Sequence, residues 1–375
     1  MLVNIGKSIL LLFIGSIFYS CFETKKNDDL FSKQDGVWVK PDYAKGFVIF
    51  SGKNYKKIFL LNQKDTIKSY TISRGKNGLN NEIIFPIKKV ASLSSIYSYM
   101  IYCLGKSDKI SGVDNLDYIC NDSLRSVLIK GKTQEVAKYN SWDVEKIIRL
   151  APDLIFTWGN SSTQSIDVPD LISKKYSIVF VNDHLEEHPL ARAEWIKYIA
   201  CFFDESTLAD SLFSSIEKRY QHIRNGVDPS HKKPSVLTEI KLNEGWFVPG
   251  GNSYMAKLIA DAGGNYLWAE DKKNGSLCLS FEEVYKKGRE ADYWINLPMI
   301  RSKEELLSRD SRYANFNSFR SGLIFNNDAR MNSHGGNSFW EEGIVFPDKV
   351  LYDLQLIFKN RSINNDSLYF YRRLN

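Results

Sequence analysis

From Val90 onward the chain alternates short β-rich runs with amphipathic stretches of helical length, and this rhythm limits its fold more than any other feature. KKVASL reads as a strand. SIYSYMIYCLG reads as a helix with apolar positions at Ile96, Tyr99, Met100 and Cys103, closed by Gly105. KISGVDN is a strand and turn, residues 143–151 a helix, DLIFTW a buried strand, 166–175 a helix and YSIVFVN a strand. Two helices follow over 190–203 and 206–224. The second carries Leu208, Leu212, Phe213, Ile216, Tyr220 and Ile223 on one stripe and is ended by Pro229 and Pro234. The rhythm then resumes: SVLTEIK a strand, GWFVPGGNS a loop, YMAKLIADAGG and SFEEVYKKGR helices, DYWINL a strand, SKEELLSRD a helix, GLIFNN a strand and PDKVLYDLQLIFK a last helix. Strands alternating with helices imply parallel sheets.

At 375 residues the chain suits two α/β lobes, and 43% hydrophobic with 25% charged residues describes a folded protein. The net charge of +6 is dispersed, with no basic block interleaved with aromatics, which argues against nucleic acid as a partner. Before the lobes, residues 36–86 hold GVWVK, GFVIFSG, KIFLLN and SYTIS, short runs that predict a small antiparallel appendage. At the front, Lys7 precedes the apolar run SILLLFIGSIFYS, too short to span a bilayer comfortably, and then Cys21. This resembles the lipobox of bacterial lipoproteins, although Phe18 and Tyr19 stand where Leu and a small residue are usual. The resemblance implies an exported protein, tethered to a membrane by lipid on Cys21. Cys103, Cys120, Cys201 and Cys278 show no CxxC spacing and read as buried free thiols, with Cys103–Cys120 the pair nearest in sequence.

Two acids occupy matching places. Asp143-Val-Glu145 opens the helix before DLIFTW, and Ser280-Phe-Glu282 opens the helix before DYWINL. Asp143 and Ser280 suit N-caps, Ser280 with Glu283 fits a capping box, and Glu145 and Glu282 would complement the helix dipoles. VASLSSIYSYMIYCLGKSDKISGVDN with DVEKIIRLAPDLIFTWGN resembles the amino-terminal lobe of the periplasmic substrate-binding proteins of ABC importers. The class in question takes up iron–siderophore complexes, haem and vitamin B12. FVPGGNSYMAKLIADAGGNYLW with LSFEEV resembles the carboxy-terminal lobe of that class. The similarity covers about residues 84–360.

The resemblance implies two lobes joined by one long helix, with a metal chelate held between them and no covalent chemistry or cofactor. The expected division of the chain is a signal peptide 1–20, tether 21–35, appendage 36–86, first lobe 87–205, connecting helix 206–228 and second lobe 229–375. The resemblance places Glu145 and Glu282 where the family's glutamates dock on arginines of the two permease subunits. A monomer is expected. Trp158 ends a parallel strand, where ligands of open sheets bind, and matches a cleft tryptophan of the family's vitamin B12-binding members. Tyr118 falls near a cleft tyrosine, and Trp246 and Phe247 near a cleft phenylalanine. The loop ARMNSHGGNSFWEEG, 329–343, adds Arg330, Asn332, His334 and Trp340 as candidate ligand contacts.

Other readings are weaker. HLEEH, 184–188, matches a zinc-protease pattern, but Pro189 disfavours the single helix the pattern needs. Five histidines with no His-rich loop argue against a bare metal ion as ligand. The same fold could serve as a surface scavenging or adhesion module without a transporter.

Overall fold

The computed structural model describes residues 36–62, 65–75, 82–138, 141–159, 168–230, 232–243 and 245–375. The expected signal peptide, Cys21 and the tether lie outside the described residues, and among the latter no helix is long and apolar enough to cross a membrane.

Two five-stranded sheets organise the chain. The first runs Ser177–Val181, Leu154–Trp158, Val90–Ser92, Ile110–Val113, Gln134–Glu135, with every neighbouring pair parallel. Leu154, Ile155, Phe156 and Thr157 are all buried, because helices cover both faces of this sheet. The helix Ser95–Cys103 makes the first crossover. It ends as expected on Gly105 (φ +69°), whose N–H donates to Tyr102 O at 2.9 Å.

The second sheet runs Asn265–Tyr266, Ser235–Thr238, Tyr293–Ile295, Ile324–Asn326, Arg372–Arg373, parallel except for the last strand. The 20-residue helix Ser206–Asn225 carries the chain from one sheet to the other and buries Ala209, Phe213, Ile216 and Tyr220. Leu208, expected on its apolar stripe, faces solvent.

The structure corrects one element. GWFVPGGNS is no simple loop, since Gly245–Pro249 is a strand paired antiparallel with Ser276–Leu279. Glycine and proline signal a turn locally, but a partner strand and a buried Trp246 outweigh them. The four cysteines are free thiols. Cys201 is buried as expected, whereas Cys278 is exposed and Cys103 and Cys120 are half-buried.

The appendage is a five-stranded sheet over Gly36–Ile84, antiparallel but for its last strand. Two buried carboxylates fasten the segment 42–46 to the first lobe. Glu194, on the buried helix Pro189–Ala200, accepts the N–H groups of Asp42, Tyr43 and Ala44 at 2.8–2.9 Å. Glu186 accepts Gly46 N–H at 2.9 Å and Trp195 Nε1–H at 3.0 Å. Gly46 must be glycine, because a Cβ there would lie 2.6 Å from the Trp195 ring. Tyr43 then donates to Glu217 of the long helix at 2.7 Å. Glu194→Ala would strand three backbone donors, so chemical denaturation should show a stability loss on the order of 3 kcal/mol. Glu194→Gln, which keeps one acceptor, should lose less.

Candidate functional site

A helix that returns the chain between parallel strands runs antiparallel to them. Strand carboxyl ends and helix amino ends therefore share one edge of each sheet. In the first lobe that edge holds a pocket of about 490 Å³. Trp158, the last residue of its strand, lines it half-buried, with its ring edge-on to His184 at 6.2 Å. Tyr118 lines it too, 44% exposed on the turn Leu116–Tyr118, which Asn115 Oδ1 fixes by accepting Asp117 N–H at 2.8 Å. The two expected aromatics are thus brought together.

Trp142 and Asp114 are among the lining residues that the sequence did not single out. Trp142 precedes the N-cap Asp143, a position with no period to mark it. Asp114 follows the apolar strand Ile110–Val113, and an acid at a strand's carboxyl end was the available signal. Asp114 Oδ1 is buried with no hydrogen-bond partner among the described residues. Burial pushes the carboxyl up to about 6, with Glu135 adding to the rise and the Asn115 N–H opposing it.

The second lobe disposes of its candidates differently. Trp246 is fully buried: its Nε1 donates to Thr238 O at 3.0 Å, and its ring stacks on Trp294 at 5.7 Å and 25°. The expectation that it lines a cleft is corrected, because strand alternation turns Trp246 into the core and Phe247 outward, 49% exposed. Arg330 is also redirected. Its guanidinium lies 3.7 Å above the Tyr369 ring and its Nε donates to Tyr369 O at 3.1 Å, beside a separate pocket against the long helix.

The rest of that loop crosses to the first lobe. Asn332 Nδ2 donates to Asp117 O at 2.7 Å and Ile119 O at 3.2 Å, so its amide serves the contact between lobes instead of the expected ligand. His334 Nδ1 lies 3.5 Å from Asp117, and Gly336 packs so closely that a Cβ would meet Asp117 O at 2.6 Å. Trp340 stays exposed, edge-on to Phe339. Glu341, unflagged in the sequence, is buried and accepts the N–H groups of Cys120 and Asn121. Burial pushes its carboxyl up to about 7, against those two donors.

At the facing edge of the second sheet, adjacent strands end in left-handed residues, Glu239 at φ +63° and Asn296 at φ +59°. Glu239 N–H donates to Ile295 O at 3.2 Å. Such backbone is costly for glutamate and collects at functional sites. Burial pushes Glu239 up to about 8.

The capping acids also resolve. Asp143 Oδ1 accepts Lys146 N–H at 3.0 Å, and Ser280 with Glu283 forms the expected capping box, so neither Glu145 nor Glu282 is needed as a cap. Both are exposed, on helices of separate lobes, with Glu282 3.4 Å from Arg312. HLEEH forms no zinc pair: His184 sits on the turn Asp183–Leu185, while His188 caps the next helix by accepting Leu190 N–H at 3.1 Å. Among the described residues no group of three or more His, Cys, Asp or Glu side chains is placed to hold a metal ion.

Glu239 gives a pH test. Its folded value lies above the ordinary 4.5, so ionisation is disfavoured in the fold and stability falls as pH rises from about 4.5 through about 8. Glu239→Gln should match the parent's melting temperature at pH 5 and exceed it by about 2 °C or more at pH 9, read by calorimetry.

Residues 90–330 match the family model described as periplasmic binding protein. A possible iron-binding (periplasmic solute-binding) protein of Staphylococcus epidermidis superposes with TM-score 0.57 at 19% identity, covering 73% of this chain and 99% of that one. A periplasmic heme binding protein of Pseudomonas aeruginosa does so with TM-score 0.57 at 16% identity, covering 77% and 99%. At these identities the likeness is one of fold. An uncharacterized lipoprotein of Methanocaldococcus jannaschii is 23% identical over 343 residues, 88% of this chain and 78% of its own length.

Proposed function

The chain belongs to the periplasmic binding protein family, and from that premise we propose that it is the lipid-anchored substrate-binding component of an ABC importer. Its cargo is a bulky metal chelate, an iron–siderophore complex, haem or cobalamin, held between the lobes and passed to the permease. The observation that carries this reading is the pocket of about 490 Å³ at the carboxyl edge of the first sheet, lined by the aromatic side chains of Trp158 and Tyr118. A pocket of this size suits an organic ligand far better than a bare ion.

Delivery rests on Glu145 and Glu282, one per lobe, exposed and not engaged as caps. Arginines on two permease subunits would pair with them, which gives register and orientation more than raw affinity. The contacts of Asn332 and Glu341 with residues 117–121 join the lobes beside the pocket. Together with the long helix Ser206–Asn225 they favour small closures over wide ones. The protein works as a monomer, and Cys21 carries the anchor; the methanogen relative described as a lipoprotein supports that placement.

Trp158→Ala should weaken chelate binding tenfold or more in calorimetric titration, equal to about 1.4 kcal/mol. An unchanged affinity would overturn the stacking role. Glu145→Ala combined with Glu282→Ala should abolish uptake by cells while leaving affinity within twofold. Undiminished uptake would remove docking from these residues.

A further inference from the structure

Asp114 is the feature of the pocket that the cargo reading does not use. Its Oδ1 is enclosed and has no hydrogen-bond partner among the described residues, on a half-buried side chain that lines the pocket. Buried carboxylates are ordinarily paired or hydrogen-bonded, because desolvating a charge without a partner is costly. Glu194, fully buried, accepts three backbone N–H groups and a lysine, whereas the half-buried Asp114 keeps one enclosed oxygen without such a donor among the described residues. One oxygen of Asp114, Oδ1, is without a donor among the described residues at the place where a ligand would bring one, while the Asn115 N–H acts on the same carboxyl.

The rest of the pocket fits the same guest. Among its described lining residues there is no lysine, arginine or histidine to neutralise an anionic group. Glu135, whose field reaches Asp114, adds a second negative charge nearby. The acceptor side of a ligand has a place as well. The helix Ser95–Cys103 begins at the pocket through Ser94 and Ser95, with no side-chain cap and no acid in its first turn. Its first N–H groups are open to a carbonyl or hydroxyl oxygen. The rings of Trp142 and Trp158 complete the walls.

We propose, resting on the cargo reading above, that the part of the ligand buried in this lobe is a neutral or cationic edge combining donors for Asp114 with acceptors for the helix end, as amides do. Chelates edged with carboxylates are rejected, since they would set like charge against Asp114 with no cation among the described lining residues to offset it.

Four probes test this by calorimetric titration of the full-length protein in detergent at pH 8. Cyanocobalamin and ferrioxamine B are amide-edged, and haemin and ferric citrate are carboxylate-edged. At least one amide-edged probe should bind tenfold or more tighter than both carboxylate-edged ones, and Asp114→Asn should weaken that binding tenfold or more. Tightest binding of haemin or ferric citrate overturns the proposal, as does an Asp114→Asn effect below twofold in a variant with unchanged circular dichroism. Should that variant not fold, the ranking on the unaltered protein decides alone. Binding of none of the four overturns the cargo reading instead. Two flat aromatic dyes then decide the charge preference: binding of cationic thionine alone supports it, and binding of anionic anilinonaphthalene sulfonate, or of neither, overturns it.

Discussion

A parallel strand reaches its neighbour only through a crossover that brings the chain back to its starting edge. That constraint, applied twice, places everything of functional interest in this molecule. It puts Trp158 and Asp114 at the carboxyl ends of neighbouring regions of one sheet, and Glu239 and Asn296 at those of the other. It also turns the amino ends of the helices Val144–Leu150 and Phe281–Gly288 towards the same edges, which is why Glu145 and Glu282 stand at the rims. The strands need apolar cover on both faces, so the edges are where polar groups can collect without weakening the core.

Four carboxylates shielded from water divide into a buried pair and a half-buried pair. Glu194 and Glu186 are surrounded by N–H donors and fasten the appendage to the first lobe. Asp114 and Glu239 lie at the strand ends, and burial pushes both towards the neutral acid. The first pair holds the structure together. In the second, Glu239 carries backbone strain at φ +63° and Asp114 an oxygen with no partner among the described residues, both at strand ends.

The lobes are coupled by more than the long helix. Tyr43, carried by the fastened segment 42–46, donates to Glu217 and accepts from Gln221 on that helix. The appendage thereby braces the connection as well as lying on the first lobe. Across the molecule, Asn332 and Glu341 hold residues 117–121, next to Tyr118 of the pocket. Any motion that widens the space beside Tyr118 must break these contacts, one of which involves a carboxyl pushed up to about 7.

Hydrophobic period determined most of the architecture from sequence alone. The helices Ser95–Cys103, Ser206–Asn225 and Pro347–Lys359 and the strand Leu154–Trp158 all lie where their patterns put them, because their apolar faces specify local geometry and burial together. Trp158 was legible as the end of a strand, a position and not a contact, whereas Tyr118 was singled out by the family resemblance; both line the pocket. What the sequence left open was decided by long-range partners. Trp246 looked like a ligand contact until pairing with Ser276–Leu279 turned it inward, and Asn332 until the carbonyls of Asp117 and Ile119, more than 200 residues away in sequence, took its amide. Asp114 and Glu341 carried no periodic signal. Whether a carboxyl is buried, paired or left short of a donor depends on which other segments the fold packs around it, and that only the tertiary structure settles.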